Sequence, residues 1–220
     1  MYKYKNIAVI LCSFLILSLK SPYSLQAQDS DNFRFVVMGC MHLSVTDLNY
    51  YEAAIERIKE QKPDFVLFLG GMVEVAADKL VEILKQFDAT TRKLGVPAYD
   101  VAGICRITKL SVPPDRKIAL EKYFIARYKK RYYSFEYKNN LFICLDSDNL
   151  FNPKEGDFHD SQLEFLDKCV KDGNKYDNIF IALNKSYWFD NNDKRWLKVI
   201  QPIIEDKVKY VFGAGTHTSF

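Results

Sequence analysis

The chain has 220 residues, 48% of them hydrophobic and 15% aromatic, which is enough to bury one large core and too little to suggest a second domain. It carries 31 Lys and Arg against 28 Asp and Glu. That balance excludes the strongly basic surface by which proteins bind nucleic acid or anionic lipid in bulk.

At the start, Lys3 and Lys5 precede the uncharged run Ile7 to Leu19, and a polar stretch follows that ends in Ala27. This is the layout of a secretory signal peptide covering residues 1–27. The apolar run is shorter than the roughly 18 to 20 residues needed to span a bilayer. Cys12 follows Leu11, not the small residue expected before a lipidated cysteine. Removing residues 1–27 takes away Lys3, Lys5 and Lys20 and no acid, so 31 basic residues become 28 against 28 acidic. The expected mature chain, residues 28–220, is neutral, secreted or periplasmic, and not membrane-bound after cleavage. An oxidising compartment makes Cys40, Cys105, Cys144 and Cys169 an even set able to pair.

Phe33 to Met38 and Asp64 to Leu69 read as buried strands, short and rich in Phe, Val and Leu. Between them, Asp47 to Gln61 places Leu48, Tyr51, Ala54, Ile55 and Ile58 at helical spacing, with Thr46 or Asp47 as a cap. A second helix fits Ala77 to Leu94, closed by Gly95 before the strand Val96 to Val101. Strand, helix, strand, helix, strand is the pattern of a parallel sheet with helical crossovers. The cluster Arg127, Lys129, Lys130, Arg131 reads as a solvated helix end, and the aromatic alternation from Phe124 to Tyr137 as a core strand. "RYYSFEYKNNLFICLDSDN" reads as a hairpin turning at Lys138, Asn139 and Asn140, so the sheet is expected to be mixed. A helix from about Asp160, a strand "NIFIAL", a helix Lys194 to Ile204 and a last strand "VKYVFGAG" complete the chain.

Three strands end in small-residue turns: Gly39 before Cys40, Gly70 with Gly71, and Gly103 before Ile104. Ligands of parallel sheets collect at such carboxyl ends. His42 and His217 follow the first and last strands, whereas His159 falls in a polar loop and is expected to face solvent.

The blocks "FRFVVMGCMHL", "PDFVLFLGGMVE", "VPAYDVAGICRI", "RYYSFEYKNNLFICLDS", "DSQLEFLDKCV", "NIFIALNKSYW" and "KYVFGAGTHTSF", in that order, resemble the successive blocks of the calcineurin-like metallophosphoesterases. The resemblance spans Phe33 to Phe220. It implies a four-layer α/β/β/α sandwich with mixed sheets and a site for two divalent metals (Mn, Fe or Zn) at strand ends. Members of that family continue past the last block, so the end at Phe220 reads either as a truncation or as the end of a fragment.

The family's blocks carry Asp-x-His, Gly-Asp, Gly-Asn-His-Asp or Gly-Asn-His-Glu, a lone His, and Gly-His-x-His. Here Cys40 stands at the aspartate and His42 survives. Gly71 stands at the carboxylate that bridges both metals, Ile104 at the asparagine, and Cys105 at the histidine that assists phosphate chemistry. Asn184 replaces the lone histidine, Gly215 removes another ligand, and His217 remains. The metal candidates implied are therefore His42 and His217, with Cys40 and Asn184 as substitutes, and Cys105 as the only catalytic candidate. Arg106 and Lys185, near strand ends, are candidate anion contacts. Asp146 reads as a turn residue, and Gln162 and Trp188 as framework.

Two-metal hydrolysis needs ions roughly 3.5 to 4 Å apart, and these replacements remove the means of holding them. The expectation is a phosphoesterase-fold pseudoenzyme with no metal or at most one Zn or Cu. A set of Cys40, His42, Cys105 and His217 suits one soft ion. A Cys40 to Cys105 disulfide, or two inert buried thiols, stand beside it. The other functional readings are an anion-binding module for a phosphate-containing small molecule, and a single-metal hydrolase. A protein partner of unknown kind and no nucleic acid complete the expectation.

Overall fold

The computed structural model describes residues 32–73, 77–103, 114–147, 158–186, 196–204 and 207–214, and Asp31–Phe220 is one compact unit. Strands β1 (Phe35–Met38), β2 (Phe65–Phe68) and β3 (Ala98–Asp100) form a parallel sheet in the order β1-β2-β3. Helix α1 (Leu48–Glu60) and helix α2 (Ala77–Thr91) make the crossovers. A short helical turn over Val45–Asp47 leads into α1, where Ser44 donates its backbone N–H to Asp47 Oδ2 at 2.9 Å. A further turn, Arg92–Leu94, extends α2 and stops at Gly95, whose φ of 72° is the left-handed geometry that glycine adopts freely.

The second half begins with helix α3 (Pro114–Tyr128), opened by a proline at its first position and closed by Lys129 at φ 64°. Strands β4 (Tyr133–Tyr137) and β5 (Asn140–Cys144) pair antiparallel, with β6 (Asn178–Lys185) and β7 (Tyr210–Ala214) added in parallel in the order β4-β5-β6-β7. Helix α4 (Asp160–Lys171) follows β5, and a wide π turn, Trp196–Ile200, runs into α5 (Gln201–Ile204) before β7.

Period-two alternation sorts the side chains into layers. Phe65 and Leu67 of β2, Phe142 and Cys144 of β5, and Phe180 and Ala182 of β6 meet between the sheets. Val66 and Phe68 turn the other way, onto Tyr51, Ile55, Ile83 and Phe87 of α1 and α2. Leu141, Ile143, Ile181 and Leu183 pack on Leu166, Val170, Ile200 and Ile204. The result is the expected α/β/β/α sandwich. Its middle is aromatic: Phe35 stacks on Phe65 with centroids 5.0 Å apart, and Phe142 on Phe180 at 4.7 Å. Each such pair contributes about 0.5 to 1.5 kcal/mol beyond area burial.

Several expectations are corrected. The stretch Phe124 to Tyr137 is not one strand, because helix α3 runs to Tyr128 and β4 starts at Tyr133. Tyr123 and Arg127 are one helical turn apart, and together they reach Asp88 of α2. The basic cluster is not simply solvated either: Arg131 Nε lies 2.7 Å from Asp146 Oδ2. The hairpin turns on Lys138 and Asn139 alone, since Asn140 already pairs with Tyr137 in the ladder. Asp146 is a buried ion-pair member at the end of β5, not a turn residue, and Gln162 clamps its backbone through bonds of 2.7 and 2.9 Å. His159 is half-buried at the start of α4, and its carbonyl accepts the N–H groups of Gln162 and Leu163.

Candidate functional site

The carboxyl ends of β1, β2, β3, β6 and β7 converge, as the glycine contacts show. A methyl group on Gly39 would stand 2.8 Å from Ala214 Cβ and 3.1 Å from Leu69 Cβ. One on Gly103 would stand 2.5 Å from Asn184 Cβ, and one on Gly70 2.8 Å from Asn184 Nδ2. These distances are shorter than carbon contacts allow. The strand ends therefore meet backbone against side chain.

Beyond β1 and β2 the two loops continue side by side. Cys40 N–H donates to Gly70 O at 3.0 Å, His42 N–H to Gly71 O at 2.8 Å, and Leu43 N–H to Met72 O at 2.9 Å. Cys40 and His42 both take left-handed backbone, at φ 54° and 48°. Each such residue costs on the order of 1 to 3 kcal/mol, and the inter-loop hydrogen bonds hold them there.

Asn184 is the keystone of the convergence. It is buried at the end of β6, donates Nδ2 to Leu69 O at 2.6 Å, and sits with its side chain against Gly70 and Gly103. Its amide donor is thus committed to holding the β2 loop. Lys185 follows, half-buried, with its backbone N–H donating to Ser147 Oγ at 2.9 Å. Ser186 Oγ donates to Ala214 O at 3.0 Å and ties β6 to β7.

These residues do not fit the dinuclear centre that the sequence resemblance implies. At the position of the bridging carboxylate, Gly71 has φ 66°, and a Cβ there would lie 3.0 Å from Cys40 Cα. Among the described residues no group of three or more His, Cys, Asp and Glu is placed to hold an ion. The structure brings Cys40, His42, Asn184 and Lys185 to one end of the sandwich. Cys105, Arg106 and His217 lie outside the described residues, as do Ile104, Gly215 and Trp188. Of the other thiols, Cys144 lies between the sheets, where burial pushes it up to about 12, and Cys169 packs against the opposite cluster.

Sequence reasoning missed a buried polar group beside β3. Asp100, the last residue of β3, is 2% exposed. Tyr128 Oη donates to its Oδ2 at 2.9 Å, and Arg127 Nε stands 3.4 Å from the same oxygen. Oδ1 receives no hydrogen bond from the described residues. Burial raises this carboxyl to about 6, against the opposing pull of Arg127 and Tyr128. Arg127 is held more closely by Asp88, which Tyr123 Oη also reaches at 2.8 Å. The signal was an acid inside the apolar strand "VPAYDVAG", which needs buried partners.

Compared with solved structures, the chain is similar to a dimetal phosphatase from Danio rerio, with a TM-score of 0.51 and 10% identity over 70% of this chain and 69% of that one. It is also similar to the purple acid phosphatase PPD1 from seeds of yellow lupin (Lupinus luteus), with a TM-score of 0.57 and 18% identity over 84% of this chain and 38% of that one. No protein-family model matches the sequence, and no curated protein does. The layers, the strand order and these likenesses agree: the chain carries a metallophosphoesterase-type fold.

Proposed function

We propose that this chain keeps the phosphoesterase fold without its two-metal chemistry, as an exported pseudoenzyme with little or no phosphoester hydrolysis. The observation that carries the reading is Gly71. Two-metal hydrolysis needs a fixed spacing between ions, about 3.5 to 4 Å. The resemblance assigns that role to a carboxylate where this chain has a glycine in left-handed backbone, closed against Cys40. Asn184 supports it too, since the amide that replaces a histidine is used to hold the β2 loop. Export rests on the leader pattern alone, and a mature N-terminus near residue 28, found by mass spectrometry of the secreted chain, is its test.

The functional test is hydrolysis of p-nitrophenyl phosphate by the full chain with Mn, Fe or Zn added, alongside metal content by elemental mass spectrometry. The expected result is no metal-dependent turnover above the metal-only control. Turnover that disappears in His42→Ala overturns the proposal. A complementary prediction concerns Gly71→Asp, which restores the family's carboxylate. It should produce no activity and cost about 1 to 3 kcal/mol in urea denaturation, because an L side chain is strained and crowded there. A stable, active Gly71→Asp variant would show that the strand ends can still open around metal.

Phosphate binding without turnover is a second reading, favoured by the half-buried Lys185 at the end of β6. It predicts saturable binding of inorganic phosphate that Lys185→Ala weakens at least tenfold.

A further inference from the structure

Away from the strand ends, α2 and α3 enclose a trough of about 490 Å³, within the size range of small-molecule sites. Asp88 and Tyr123 close one end through their hydrogen bond. The remaining lining is Val81, Leu84 and Lys85 from α2, with Ile118, Ala119 and Lys122 from α3. The floor is apolar, and Leu84 is buried there. Val81 and Ile118 line the trough yet stay 55% and 46% exposed, among the few large apolar side chains of the described residues so open to solvent.

The charges are placed unusually. Lys85 lies one helical turn beyond Val81, and Lys122 one turn beyond Ile118, so each helix presents an apolar residue and then an ammonium. Neither lysine has an acidic partner among the described residues. Among the described residues, Asp88 is the only carboxylate in the lining, and Tyr123 and Arg127 already occupy it. An apolar floor, two cations with no acidic partner among the described residues, and an acid already paired with Arg127 are together complementary to a ligand with an aliphatic body and one anionic group. From Val81 to Lys85 the apolar part of the trough is about 6 Å long by the helical rise, which suits a short aliphatic chain.

We propose that the α2–α3 trough binds a small aliphatic anion of the short-chain carboxylate class, with its tail on Val81, Leu84, Ile118 and Ala119 and its carboxylate between Lys85 and Lys122. This site is separate from the strand ends and does not depend on the reading of their chemistry.

The test is calorimetric titration of the full chain with hexanoate. Expected are one saturable site, at least tenfold weaker binding of hexanol, and at least tenfold weaker hexanoate binding in the Lys85→Glu, Lys122→Glu double variant. Both lysines are exposed, so that variant should fold normally. Ala119→Leu, which fills the trough without altering charge, should weaken binding likewise. Inorganic phosphate should not compete. Absence of saturation, equal affinity for the charge-reversed variant, or binding of an acidic amphipathic peptide in place of hexanoate would each overturn the assignment.

Discussion

The space between the two sheets and the loops at the sheets' carboxyl ends are made on different principles. Between the sheets, many large side chains fill one layer jointly, so that Phe65 touches Phe35, Tyr99, Phe135 and Phe142, and each of those has other neighbours. At the strand ends, single residues carry single roles, such as Asn184 holding Leu69 O. A distributed role tolerates change at any one position, because volume and apolar character suffice. A singular role does not. This is how a fold can persist at 10% and 18% identity to solved phosphatases while the residues that the resemblance assigns to metal are replaced one by one.

The largest expected effect is therefore a truncation at the hub of the aromatic layer. Phe65 is fully buried, and Phe65→Ala should cost about 3 to 5 kcal/mol in urea denaturation. A loss below about 1 kcal/mol would mean the layer closes around the cavity, and that the two sheets are packed more loosely than their ring contacts indicate.

The next effect probes a singular group that lies beside the layer. Asp100 titrates near 6 in the folded chain against an ordinary 3.8, because burial outweighs Arg127 and Tyr128. The folded state thus holds this proton more tightly than the unfolded one. The contribution to stability is complete below pH 3.8 and is lost as pH rises through 6, by about 3 kcal/mol at most. Arg127 and Tyr128 of α3 and Asp88 of α2 are the charged or titratable groups that act on it, while Tyr133 of β4 donates to the backbone carbonyl of Asp100. Asp100→Asn mimics the protonated form. The stability of wild type minus that of the variant should fall between pH 4 and pH 7, and a flat difference would assign the carboxyl an ordinary titration.

The same contrast governs what was legible in the sequence. Strands β2, β5 and β6 were readable because several apolar residues in each repeat one message, and α1, α2 and α4 because their apolar stripes do so at helical spacing. Helix α3 was obscured because Tyr123, Arg127 and Tyr128 serve polar contacts with Asp88 and Asp100, so aromatic content there does not mark a strand. The π turn at Trp196–Ile200 has no local signature, since a helical stripe accommodates one wider turn. At the strand ends, the replacements at Cys40, Gly71 and Asn184 were legible as letters. That Asn184 holds the β2 loop while filling the space above Gly103 was not, because it depends on a contact between β6 and β3 across residues far apart in the chain.

That contact offers the smallest effect and the sharpest separation of the two regions. In Gly103→Ala the new methyl would lie 2.5 Å from Asn184 Cβ and 2.6 Å from its Cγ, so the side chain must move or the loop must lift. Overpacking of this kind costs about 1 to 3 kcal/mol. Asn184→Gly alone should also destabilise the chain, because Leu69 O loses its buried donor, at about 1 to 3 kcal/mol. In the double variant the clash is gone and only the lost hydrogen bond remains. The combined cost should then fall below the sum of the single costs by at least about 1 kcal/mol, a coupling expected of residues in direct contact. Additive costs would mean that the β3 loop relaxes independently of β6. The strand ends would then be soft enough to rearrange around a ligand, and the closure of the site at Gly71 would be a property of one arrangement and not of the fold.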